Sequence, residues 1–138
     1  MRGSGRVREL LSMARRLLRG ERVGGGGYEL ECLREALGEL RRKFPGKPES
    51  WLMRAAVRSF YVRRLGERSW LVEGIRELGD AYRAYRVYLS SSDGRYFCSC
   101  FTTSFGHARR RRVCTHIAAV IVWRSMQRLL APYLKERP

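Results

Sequence analysis

Cys98-Ser99-Cys100 and Cys114-Thr115-His116 are two close pairs of metal-binding side chains, and they constrain this chain more than anything else in it. A loop running from Phe101 to Val113 separates them. Two such pairs make a tetrahedral site accessible to a short chain, because each pair is local and only one loop must close. The first pair is expected to end a strand. The second is expected to open a helix, whose N-terminal dipole favours a thiolate at Cys114. Cys98, Cys100, Cys114 and His116 are therefore the expected ligands of one structural Zn2+. Three thiolates and a neutral imidazole give such a site a net charge of −1 and leave no open position for an activated water. Metal binding of this kind contributes on the order of 10 kcal/mol to folding, enough to decide whether a small domain is folded. Disulfides or buried free thiols are the alternatives. The histidine in the second pair, and an N-terminus that does not read as a secretory signal, favour zinc. His107 lies inside the loop, but the tight pairs already complete the coordination without it.

The charge of the chain concentrates in the same place. It carries 29 Lys+Arg against 13 Asp+Glu, a formal charge of +16 over 138 residues. Half of that excess falls between residues 94 and 135, which contain no acid and hold three of the four cysteines. Nearly all the basic residues are arginine, Lys43, Lys47 and Lys135 being the exceptions. Arginine binds phosphate through a planar fork and stacks on bases, so the bias suits nucleic acid, although a GC-rich genome also enriches arginine. Arg109, Arg110, Arg111 and Arg112 run consecutively in the loop between the ligand pairs. With Arg95, Arg124 and Arg128 they are the expected nucleic-acid contacts. Such contacts position a protein on phosphates and carry no sequence information by themselves. Phe101, Phe105 and Tyr96 either stack on bases or pack around the metal.

The order of elements reads as α+β: N-terminal helices, a small antiparallel hairpin or sheet, and a C-terminal helix organised around the zinc. Val7, Leu10, Leu11, Ala14, Leu17 and Leu18 set a helix over Gly5 to Gly20. This basic amphipathic helix is expected to dock on the protein's own core, with binding to a partner as the alternative. Gly24 to Gly27 form a joint. A second helix runs from Tyr28 to about Phe44 with Leu30, Leu33, Leu37 and Leu40 on one stripe, and Pro45-Gly46 ends it. A third is expected from Glu49 to Leu65, stopped by Gly66, with Trp51, Ala55, Phe60 and Val62 among its core residues. Trp70-Leu71-Val72 and the stretch from Tyr82 to Leu89 read as strands. Asp93-Gly94 turns the chain into a returning strand from Arg95 to Cys98. The last helix is expected from Cys114 to about Ala131, with Pro132 discouraging continuation and Ala118, Val122, Met126, Leu129 and Tyr133 facing the sheet. These elements divide the chain into a helical region, 1–66, and a zinc-binding region, 67–134.

From Trp70 to Trp123 the sequence resembles a SWIM zinc finger, whose pattern is C-x-C, a variable loop, and C-x-H. Here that pattern is Cys98-Ser99-Cys100 and Cys114-Thr115-His116, with Trp70 and the strand Tyr82 to Leu89 ahead of it and Ile117-Ala118-Ala119-Val120 continuing into a helix. SWIM modules occur in Swi/Snf-type ATPases, Mutator-like transposases, signalling enzymes and recombination mediators of the Shu-complex type. The mediators' extended motif places an alanine three residues after the histidine, where Ala119 stands. A chain this short has no room for the ATPase, transposase or kinase partners of the module. The resemblance thus implies a stand-alone accessory protein acting with a recombinase paralogue or another DNA-repair partner.

No catalytic set is visible. Gly24 to Gly27 lack the Lys-Ser/Thr ending of a phosphate loop, acids are sparse, and both histidines lie in the zinc segment. The longest wholly apolar run, Ile117 to Trp123, is too short to span a bilayer. The expectation is a non-enzymatic, cytoplasmic protein, nucleoid-associated or nuclear if it binds DNA, with DNA favoured over RNA and no membrane role. An RNA-binding ribonucleoprotein component and a pure protein-interaction module are the alternatives.

Overall fold

The computed structural model describes residues 4–25, 27–102 and 113–135. Among them the fold is α+β, with four α-helices and a four-stranded antiparallel sheet. Helix α1 spans Ser4–Leu18, α2 Gly27–Lys43 and α3 Glu49–Ser59. The strands β1 (Val62–Gly66), β2 (Ser69–Glu73), β3 (Ala84–Leu89) and β4 (Tyr96–Cys98) follow, and α4 (Thr115–Lys135) closes the chain. The sheet is a meander in chain order, β1-β2-β3-β4.

The apolar stripes do what their spacing dictates. Val7, Leu10, Ala14 and Leu17 of α1 are all buried, so this helix docks on the protein's own core. Leu33, Ala36, Leu37 and Leu40 of α2 join Leu52, Ala55 and Ala56 of α3 in one cluster. The glycine run between α1 and α2 contains Gly25 and Gly27, both at positive φ, where a side chain would strain the backbone.

The third helix is shorter than its periodicity suggests. It ends at Ser59, whose hydroxyl bonds the carbonyl of Ala56, and Val62–Gly66 is a strand. A serine hydroxyl bonded back to its own helix competes with continuation, and Phe60-Tyr61-Val62 favours extended backbone. Pairing settles the matter: Val62, Arg63 and Arg64 lie opposite Val72, Leu71 and Trp70 across a tight hairpin. Phe60, expected in the core, is instead 47% exposed at the corner.

Helix α4 differs from expectation in two ways. Ala118, Val122, Met126 and Leu129 pack into the cluster of α2 and α3 and do not face the sheet. The sheet is met by the neighbouring face, Ile117 and Val120. One helix therefore serves two cores, which is why Ile117 to Val120 are all buried. The helix also continues through Pro132 to Lys135. A proline removes one backbone donor, a limited loss so near a helix end, and Tyr133 stacks on Tyr28 with ring centroids 4.6 Å apart.

The core is continuous across residue 66. The helical region supplies Val62 to the sheet's cluster, and α4 supplies Ala118 and Val122 to the helical one. No helix among the described residues is long and apolar enough to cross a membrane.

Candidate metal centre

Strand β4 delivers Cys98 at its end, and a short 3-10 turn, Ser99–Thr102, places Cys100 beside it. The backbone N–H of Cys100 points at Cys98 Sγ, 3.5 Å away. Cys114 immediately precedes α4. Its carbonyl accepts the first helical bond from Ala118, and its Sγ accepts from the N–H of Ile117 at 3.5 Å. The thiol thus takes the place of an N-cap side chain, and the helix end favours negative charge there. His116 follows two residues later, in the first turn of α4. One donor atom from each of Cys98, Cys100, Cys114 and His116 lies within 4.8 Å of the others. Both expected pairs are brought together, and the four side chains can hold a metal ion.

The histidine is oriented by a residue that the sequence did not single out. His116 Nε2 is 3.0 Å from Asp80 Oδ1, and both side chains are about 95% buried. The other ring nitrogen, Nδ1, is buried without a hydrogen-bond partner. An orphaned ring nitrogen next to three sulfurs is the atom a metal would take, and a carboxylate on the far nitrogen is the usual support for a metal-binding histidine. The Tyr85 ring stacks on the imidazole with centroids 4.0 Å apart, fixing its plane.

Asp80 is itself held. Its Oδ2 accepts from the N–H of Ile75 at 2.8 Å and from the guanidinium of Arg58, and Arg58 Nε donates to Thr115 Oγ1 at 2.9 Å. Arg58 lies in α3 and is 3% exposed. The loop carrying Asp80 is pinned at Gly74, whose N–H bonds the carbonyl of Arg83 at 2.6 Å. A Cβ at Gly74 would run into the carbonyl of Tyr82, so only glycine fits there. The chain of contacts Arg58, Asp80, His116 thus links α3, the β2–β3 loop and α4 to the ligand cluster.

The electrostatics follow this geometry. Burial opposes ionisation of Asp80, but hydrogen bonds from His116, Arg58 and the Ile75 amide outweigh it and hold the carboxyl at about 2. Burial likewise opposes charge on His116. Asp80 and the sulfurs of Cys100 and Cys114 overcome that and raise the ring to about 10. Hydrogen bonds from Cys114 and Cys98 push the Cys100 thiol down, while hydrogen bonds to Cys100 and Cys114 push Cys98 up. The geometry thus pulls protons toward the imidazole and away from the Cys100 sulfur, and a divalent cation binding here would displace the protons the cluster still carries.

The expected nucleic-acid contacts have different fates. Arg109, Arg110, Arg111 and Arg112 lie outside the described residues, as do Phe105 and His107. Arg95 is exposed beside β4. Arg124 donates to Tyr96 Oη at 2.6 Å and sits 5.3 Å from the centroid of the buried Trp70 ring. Arg128 is bonded to both carboxylate oxygens of Glu39 at 2.6 Å. Tyr96 and Phe101 pack against the cluster around the cysteines. Cys32 is buried in α2, away from the site.

Comparison with protein-family models, with curated proteins and with solved structures finds no match for this chain. Three sulfurs and one imidazole nitrogen fill a tetrahedral shell, and sulfur-rich shells of this kind suit zinc.

Proposed function

We propose that this chain is a zinc-stabilised, non-enzymatic nucleic-acid-binding accessory protein, with DNA as the favoured nucleic acid. The observation that supports it is the coincidence of a closed three-cysteine, one-histidine cluster with an acid-free, arginine-rich segment threaded through it. Cys98, Cys100, Cys114 and His116 would hold the ion, which supplies a cross-link between β4 and the start of α4. With every position filled by protein, the site's chemistry is structural. The loop bearing Arg109 to Arg112 is tethered at both ends by those ligands, so phosphate contacts made there start from fixed anchors. The resemblance to SWIM fingers of the mediator type adds a recombinase paralogue or other DNA-repair protein as partner.

The test is binding of labelled duplex DNA, and of RNA of matched length, by the zinc-loaded protein across a salt series. Neutralising Arg109 to Arg112 should weaken DNA binding and flatten the salt slope by about 0.9 for each phosphate no longer neutralised. An unchanged slope removes the loop from the interface. Preference for structured RNA replaces DNA with RNA, and no binding at low salt rejects the proposal.

A further inference from the structure

The helices and the sheet use their arginines differently. On the helical side Arg15, Arg16, Arg19, Arg34 and Arg128 are engaged with acids. On the sheet, Arg63, Arg86 and Arg95 are exposed, and among the described residues none of them forms an ion pair. The register puts them on one side. Trp70, Val72, Tyr85, Val87 and Cys98 point inward, so their neighbours along each strand point outward. Arg63, Leu71 and Arg86 lie directly opposite one another across β1, β2 and β3. Two residues along β3, Tyr88 lies opposite Phe97 of β4. Arg95 falls on the same side by alternation, next to the Ser90–Arg95 backbone bond that closes the hairpin.

Tyr88 and Phe97 are stacked, with ring centroids 5.2 Å apart and planes 16° from parallel. Tyr88 is 48% exposed. Of the acids near this side, Glu73 lies opposite Ala84, one diagonal step from Arg63 and Arg86 and about 13 Å along β3 from Tyr88, and Asp93 accepts the backbone N–H of Arg95 at 3.0 Å. A stacked aromatic pair on an exposed side of the sheet, bordered by arginines that form no ion pair among the described residues, offers flat apolar rings to unpaired bases and cations to the backbone between them. A duplex hides its base faces inside the stack and cannot use the rings.

We infer that the outward side of the sheet, centred on Tyr88 and Phe97 and bordered by Arg63, Arg86 and Arg95, is a stacking platform for single-stranded nucleic acid. The inference rests on the nucleic-acid-binding reading above and narrows it to a site and a strandedness. Unlike the loop at Arg109 to Arg112, this surface distinguishes single strands from duplexes.

The experiment compares the zinc-loaded wild type with Tyr88→Ala and Phe97→Ala. Probes are labelled oligothymidylate and a labelled duplex of the same length. Each variant should lose about tenfold in affinity for the single strand with its salt slope unchanged, because a stacking contact releases no counterions. Duplex affinity should stay within about twofold. Arg86→Ala should weaken single-strand binding and flatten its slope. Wild-type binding with both aromatic variants unchanged overturns the platform and leaves the broader proposal standing. Equal loss on single strand and duplex also overturns it. A lower melting temperature with unchanged single-strand affinity shows that the pair only braces the sheet. Failure of the wild type to bind any nucleic acid defeats the broader proposal itself, so the two failures read differently.

Discussion

The two halves of this molecule reach the same degree of burial by different chemistry. Around α1, α2 and α3 the interior is leucine and alanine: Ala14, Leu17, Leu33, Leu37, Leu40, Leu52 and Ala56. Beneath the sheet it is Trp70, Val72, Tyr85 and Val87 together with Cys98 and Cys100, and the charged trio of Arg58, Asp80 and His116 lies against it. Among the described residues, the fully buried side chains of the first interior are all apolar. The second buries Cys98, Cys100, His116 and the Arg58–Asp80 pair with Cys114 at its edge, an arrangement that is unfavourable unless each charge meets a partner. Helix α4 belongs to both, so the helical half is a fixed platform on which the polar half is assembled.

Metal removal gives the largest separation between the halves. Stripping the ion from metal-loaded protein, or replacing Cys98 with Ser, should reduce apparent stability by something on the order of 10 kcal/mol. In a Trp51→Phe, Trp123→Phe background the near-UV signal of the buried Trp70 should collapse first. Much of the helical far-UV signal should persist, because the leucine cluster contains no ligand. Retention of the Trp70 signal and melting temperature without metal would show that the sheet half is held by apolar packing after all.

The buried trio comes next. Arg58→Leu leaves the Asp80 carboxylate with one charged partner fewer and should cost about 3–5 kcal/mol, the usual penalty for breaking a buried pair. Asp80→Asn should instead weaken metal affinity about 10- to 100-fold, as expected when a ligand histidine loses its support. In stability the two together should cost less than the sum, since the double variant leaves neither member of the pair buried without its partner. Competition with a chromophoric chelator reads the affinity, and denaturant melts read the stability. Additive effects would mean that Arg58 and Asp80 act independently, contrary to their direct contact.

Leu37→Ala is the counterpart on the helical side. Leu37 is 1% exposed, and its truncation should cost about 2–5 kcal/mol through the cavity left behind. Metal affinity should not change. A parallel drop in affinity would show that the platform transmits strain to the site through α4, and that the two halves behave as one core.

How much of this was legible in the sequence depends on how local the information is. The clustering of Cys98, Cys100, Cys114 and His116 was legible because each pair sits within three residues, and the leucine stripes because helical period is a local pattern. The end of α3 was not. Val62 to Leu65 fits a helical stripe, and only its pairing with β2 makes it a strand. The orientation of α4 was not legible either, since Ile117 to Val120 gives an apolar surface on every side and the spacing cannot say which side meets the sheet. Asp80 is the instructive case. The second nitrogen of a metal-binding histidine can be held by a carboxylate, a backbone carbonyl or water, and the chain offers 13 acids, so nothing local in the sequence points to Asp80. Its role, like the burial of Arg58 beside it, comes from the packing of the β2–β3 loop against α3 and α4.

The smallest expected effect separates the halves by pH. Glu39 of α2 accepts from Ser125 at 3.1 Å as well as from Arg128, tying α2 to the far end of α4. The hydrogen bond from Arg128 holds the Glu39 carboxyl below its ordinary value, against a smaller effect of burial. A carboxyl with a lowered folded-state value contributes stability above its unfolded value and loses that contribution as pH falls through the folded one. The bridge is largely exposed, so Glu39→Gln should lower the melting temperature only slightly at neutral pH, and screening by salt should shrink the difference further. Once the pH has fallen below the folded-state value, wild type and variant should converge, because the carboxyl is then protonated in both states. The metal half should respond at higher pH, where protons begin to compete for the thiolates and the imidazole. Melting of a Trp51→Phe, Trp123→Phe background, followed by Trp70 fluorescence and by far-UV ellipticity across pH, can read the two responses separately. If both probes shift together, and the Glu39→Gln difference persists into acid, then helix α4 couples the halves too tightly for either to titrate by itself.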